Sequence, residues 1–218
     1  MLQGQNIKIN LLISFKASKR KWTFRGTKVK PARWIRQGVV AVCILFSVCA
    51  QSASVQSSIE YYDVSAHDLN QLRNQLKAQG PQKQGNRYSI AAQYRMNWTP
   101  KVQIRNDRCE ALQPELQLSA DLVMPRWISQ SNADFAAQQS WIGYIAAAQQ
   151  YHQKITRLIE QSVDRFIQQT QGLSATECDK LEALINAKGR AALASAQQKV
   201  RTYQRQTRHG ESLGLTIP

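Results

Sequence analysis

The sequence predicts an α+β fold: an antiparallel sheet of long strands, with a short helix before it and two long helices after it. Three observations carry that prediction. Residues 87–124 alternate apolar and polar side chains over two long stretches, the period of a half-buried strand. From Asn132 onward the apolar positions recur every three or four residues, as on an amphipathic helix. Turn chemistry falls between these blocks, at Gly80-Pro81 and Asn106-Asp107.

Taken in order, residues 59–65 (IEYYDVS) are aromatic and β-branched and predict a short strand. Leu69, Leu72 and Leu76 follow at helical spacing, and Gly80-Pro81 stops that helix. His67, beside Asp68 in its first turn, is expected on the surface. In the next strand Tyr88, Ile90, Ala92, Tyr94, Met96 and Trp98 share one face, a parity that extends through Val102 and Ile104. After Cys109 the residues Leu112, Leu116, Leu118, Ala120, Leu122 and Met124 repeat it, so the two strands read as an antiparallel meander. Trp141, Ile145, Ala148, His152, Ile155, Ile159, Ser162 and Phe166 then form one unbroken stripe, which predicts a single long helix ending near Gly172. Ser174 and Glu177 have the spacing of a capping box. The helix they open carries Leu181, Ile185, Ala192, Ala196 and Tyr203 on one face and finishes before Gly210.

The net charge of +15 invites a nucleic-acid partner, but residues 1–37 hold ten of the basic residues and no acidic one. From Gln51 onward nineteen basic residues face fourteen acidic ones, a remainder of only +5, with no zinc-finger or RNA-binding signature. No nucleic-acid partner is expected. The apolar run at 38–50, GVVAVCILFSVCA, follows Arg33 and Arg36 and suits a signal-peptide core. It is short for a bilayer span. Val48-Cys49-Ala50 predicts cleavage after Ala50, Ser52 being a neighbouring option. The division is therefore a basic leader and signal peptide over 1–50 and a single exported α+β domain over 51–218. If translation starts near Val29, residues 1–28 fall outside the protein, and they receive no fold here. The expected location is periplasmic or secreted, with membrane contact only through an uncleaved leader.

Two cysteines remain in the exported part, Cys109 and Cys178. An even number in an oxidising compartment predicts a disulfide. It would close a loop worth roughly 4 kcal/mol; two buried thiols are the other reading. No histidine is close enough in sequence to either cysteine to suggest a metal pair, and no G-x-S-x-G is present.

Several stretches together resemble the bacterial "domain of unknown function 922" family, whose members are predicted to be secreted zinc-dependent proteases. They are YYDVSAHDLNQLRNQLKAQGP at 61–81, Cys109, MPRW at 124–127, the Trp141 helix, Cys178, and YQRQTRHG at 203–210. The resemblance implies a zincin-like arrangement, with H-E-x-x-H on the long helix ten residues after the tryptophan. Here that frame reads Tyr151, His152, Gln153, Lys154, Ile155. Both zinc histidines are replaced, and a histidine stands where the general-base glutamate belongs. The family's terminal Y-D-x-x-T-x-H-G survives as Tyr203, Thr207, His209 and Gly210, with Gln204 in place of the aspartate.

The chemistry makes these losses matter. Two histidines one helical turn apart grip a zinc ion, and the glutamate between them polarises its bound water. The degenerate positions Tyr151, His152 and Ile155 supply neither function. We therefore expect no catalytic residue, no metal and no cofactor, and a residual site built from His152, His209, Tyr203 and Thr207. The expected role is a binding or structural module of the cell envelope, with an envelope protein or peptide as partner. The alternative is an active metallohydrolase that holds zinc with atypical ligands.

Overall fold

In the computed structural model, the described residues are 5–9, 55–83 and 85–216, all within one compact unit. The apolar run at 38–50, read above as a signal-peptide core, lies outside them. The strands are β1 (Gln5–Ile9), β2 (Val55–Val64), β3 (Gln82–Lys83), β4 (Asn86–Arg87), β5 (Ala91–Thr99), β6 (Val102–Arg105), β7 (Arg108–Ala111), β8 (Glu115–Trp127) and β9 (Ser174–Ala175). The helices are α1 (Leu69–Gln79), α2 (Phe135–Thr170) and α3 (Cys178–Gln206). The α+β class holds, with its short first helix and two long later ones.

The main sheet has the order β1-β5-β8-β2 and is mixed, where the sequence predicted an antiparallel one. β5 runs antiparallel to β8, pairing Tyr94 with Ala120, while β2 runs parallel to β8, pairing Ile59 with Leu122. Periodicity fixes which face a side chain takes but not which strands are neighbours. Here β8 inserts between β2 and β5, and that insertion makes one pair parallel. The backbone of residues 5–9, given no fold from sequence, pairs antiparallel with β5, Gln5 opposite Trp98.

Parity decides the core. Ile90, Ala92, Tyr94, Met96 and Trp98 are buried together with Leu118, Ala120 and Met124, and α2 and α3 cover this face. The other face is polar: Arg95 pairs with Asp121, and its Nε donates to Ser119 Oγ at 3.3 Å. An antiparallel pair of this kind tolerates one wet face. The parity expected to continue through Ile104 and Leu112 does not. Pro100 ends β5, and β6 and β7 leave the main sheet as a hairpin that leaves Ile104 75% exposed and Leu112 exposed. Asn106 and Asp107 turn that hairpin at φ 50° and 57°, the left-handed geometry that a two-residue turn needs.

Asp68 caps α1, its carboxylate accepting from Gln71 N at 2.9 Å, and Leu72 and Leu76 are buried. Asp134 caps α2 in the same way through Ala137 N at 2.6 Å. The eight-residue stripe predicted for α2 is on its inner side, Ile145 being its least buried member. The capping box predicted at Ser174 and Glu177 does not form. Ser174 lies in β9, whose pairing with β7 holds it extended, and α3 begins only at Cys178 without a side-chain cap. What fixes this helix entry is the Cys109–Cys178 disulfide, with a Cα–Cα distance of 5.2 Å, beside the pairing of Cys109 with Ala175.

Candidate functional site

The H-E-x-x-H frame points in two directions, because successive residues of a helix lie about 100° apart. Tyr151 and Ile155 are fully buried and face away from the cavity that His152 lines. Tyr151 stacks on Tyr203 of α3, ring centroids 5.3 Å apart and planes 28° apart. Beyond Tyr203, α3 ends in consecutive left-handed residues, Arg208, His209 and Gly210. This termination folds the chain back, so that Leu215 N donates to Gly210 O at 3.1 Å and Leu215 is buried. Gly210 is required here: at φ 93° it faces Leu215 so closely that a Cβ would meet its Cδ2 at 2.7 Å.

Thr207 is buried in the same corner, its hydroxyl donating to Tyr203 O at 2.8 Å and accepting from Gly210 N at 3.2 Å. It serves the helix end. The Tyr151 hydroxyl lies beside the side chains of Gln204 and Thr207, which act against the effect of burial on it. Burial pushes this phenol up to about 12, so it remains a neutral group at neutral pH. His209 is exposed, with its backbone N donating to Gln204 O at 2.6 Å. Of the four residues expected to form a residual site, Tyr203 and Thr207 come together beside Tyr151. His209 points to the surface, and His152 belongs to another region. His67 is also exposed, and among the described residues no three histidine, cysteine or acidic side chains group to hold a metal.

His152 takes the sheet-facing side of α2. It is only 5% exposed, and its Nδ1 lies 2.9 Å from the Tyr94 hydroxyl on β5. Its Nε2 is buried without a hydrogen-bond partner among the described residues. Burial drives the imidazole down to about 4, so the ring is uncharged at neutral pH. Above it opens a cavity of about 710 Å³ between α2 and strands β2 and β8. Met124, Trp141 and Ile145 wall it, together with Ile59 and Tyr61 of β2, which are 49% and 53% exposed. Trp141 is held edge-on by Trp127 at a centroid distance of 5.7 Å, and the Trp127 indole donates to Ala66 O at 3.0 Å. At the rim Arg126 grips Asp63 with Nε–Oδ1 2.7 Å, a bond that holds the carboxyl below its usual range.

Sequence reasoning placed His152 on the buried stripe but did not find this cavity. Ser57, Ile59 and Tyr61 are its overlooked wall; the available signal was an aromatic and a β-branched residue at alternate positions of one strand.

A one-faced mixed sheet backed by a long helical pair, with a cavity of mixed polar and apolar lining beside the edge strand, defines an α+β domain with a ligand-sized recess. The chain belongs to the family of bacterial proteins of unknown function DUF922, whose model matches residues 59–210. No curated protein and no solved structure matches it.

Proposed function

We propose that this chain is a non-catalytic binding module of the bacterial cell envelope, exported after cleavage near Ala50. On this reading it descends from zinc proteases but has lost their metal chemistry. The observation that carries the proposal is Tyr151, fully buried against Tyr203 where the first zinc histidine would stand. The residues present do not fit a zinc ion. Ile155 has no donor atom, the Tyr151 phenol stays protonated, and His209 faces solvent. The Cys109–Cys178 bridge supports an oxidising location, and no described helix is long and apolar enough to cross a membrane.

Metal analysis of the protein purified from an envelope fraction tests this. Less than about 0.1 zinc per chain is expected, together with no peptidase activity on unfolded casein. Stoichiometric zinc that a chelator removes would favour the metallohydrolase instead.

A further inference from the structure

The cavity between α2 and strands β2 and β8 changes character from one end to the other. Trp127 meets Trp141 at one end. Farther along α2, His152 meets Tyr94, which is level with Ala120 and Ser57 across the sheet. The helix and the strands therefore keep step along the cavity. Toward the tryptophans the lining is Ile145, Leu122, Met124, Ile59 and Tyr61, with Gln130 and Arg126 beside them. The Arg126 guanidinium is already engaged by both carboxylate oxygens of Asp63. Beyond His152 the lining becomes Ser57, Gln153, Thr156, Arg157 and Glu160. Arg157 and Glu160 lie one helical turn apart, with about 5–6 Å between their Cβ atoms. Neither side chain has an ion-pair partner among the described residues. We propose that the cavity binds a single-chain amphiphile with a zwitterionic head, its tail along Ile145 and Trp141 and its head at Arg157 and Glu160.

Charge selects the head. A purely anionic head would pair with Arg157 but face the Glu160 carboxylate, and a cationic head would meet the converse. A head with phosphate and ammonium a short linker apart presents an opposite charge to each side chain. Shape selects the tail. Sixteen residues separate Trp141 from Arg157, about 24 Å along the helix axis. The cavity is thus long for its volume of about 710 Å³, and it suits an extended chain better than a compact ring system. The apolar lining at the tryptophan end then takes the hydrocarbon out of water.

This inference rests on the chain being a non-catalytic binding module, and its test separates the two. Lauroyl lysophosphatidylethanolamine, below its micelle concentration, is titrated into the protein purified from an envelope fraction and followed by calorimetry. Saturable binding of one lipid per chain is expected. Lauroyl lysophosphatidylglycerol keeps the phosphodiester but replaces the ammonium by hydroxyls, and should bind about fivefold more weakly. Monolauroylglycerol lacks both charges and should bind more weakly again. Arg157→Gln should weaken both phospholipids about fivefold, whereas Glu160→Gln should weaken only the ethanolamine lipid. Ile145→Trp, which fills the apolar end from a half-buried position, should abolish binding of all three while leaving the fold intact by circular dichroism.

Absence of saturable binding of the ethanolamine lipid overturns the inference and leaves the proposed function standing. So does equal affinity for the ethanolamine and glycerol lipids, or binding that ignores both Arg157→Gln and Ile145→Trp. Release of lauric acid from the bound lipid, or stoichiometric zinc in the protein, would sink the non-catalytic reading alone.

Discussion

His152 is an imidazole stored uncharged in the interior, and it leaves a signature in stability against pH. Its folded value of about 4 lies below the ordinary 6.5. Between those values the unfolded chain binds a proton that the folded chain refuses, so stability rises with pH through that window and is flat above it. The total swing is on the order of 3 kcal/mol. Denaturant unfolding of the unmodified protein and His152→Phe from about pH 4 to 7 should show this slope only in the former. Parallel curves would mean that the ring is not buried as described. The position of His152 on the inner stripe of α2 is legible from periodicity. Its pairing with Tyr94 is not, because the two lie 58 residues apart and meet only when the helix is laid across the sheet. The same limit hid the corner around Tyr151, where Tyr203, Thr207 and Gly210 converge through a left-handed helix end that no spacing announces.

Among the elements, α3 shows how close packing overrides propensity. Its buried face includes Gly189, where an added Cβ would fall 2.4 Å from Cε2 of the Trp98 indole. That ring cannot yield easily. It is buried, set edge-on to Phe166 at 6.0 Å, and tied through Nε1 to Asn186 Oδ1 at 3.0 Å. Ala is favoured over Gly in a helix by about 1 kcal/mol, yet Gly189→Ala should lower stability by about 1–3 kcal/mol, since overpacking dominates. Thermal melts of the variant would show it; a raised melting temperature would mean that α3 is free to move off β5. The disulfide acts between elements as well, joining β7 to the first residue of α3 across a separation of 69 residues. Cys109→Ala should cost about 2–5 kcal/mol, and thiol labelling of the denatured, unreduced domain should find neither cysteine free. Cysteine count alone suggested this pair. The failure of the capping box was not legible, because Ser174 is drawn into β9 by a partner strand more than sixty residues earlier.

At the scale of the whole molecule, charge divides the chain more sharply than the fold does. Ten basic residues precede the apolar run and the remainder is nearly balanced, so salt should have little effect on the behaviour of residues 51–218. Mass analysis of the exported protein should show a loss of about 5–6 kDa if the leader is removed near Ala50; a full-length mass in the membrane fraction would count against that removal. The structure adds a consequence of such a cut. Residues 5–9 pair with β5 from Tyr94 to Trp98, so β1 caps one margin of the sheet. Losing it would narrow the sheet from four strands to three and uncover a row of backbone donors and acceptors. Peptidase action would then do more than release a passenger. It would turn a covered sheet margin into an open seam, able to zip onto another chain.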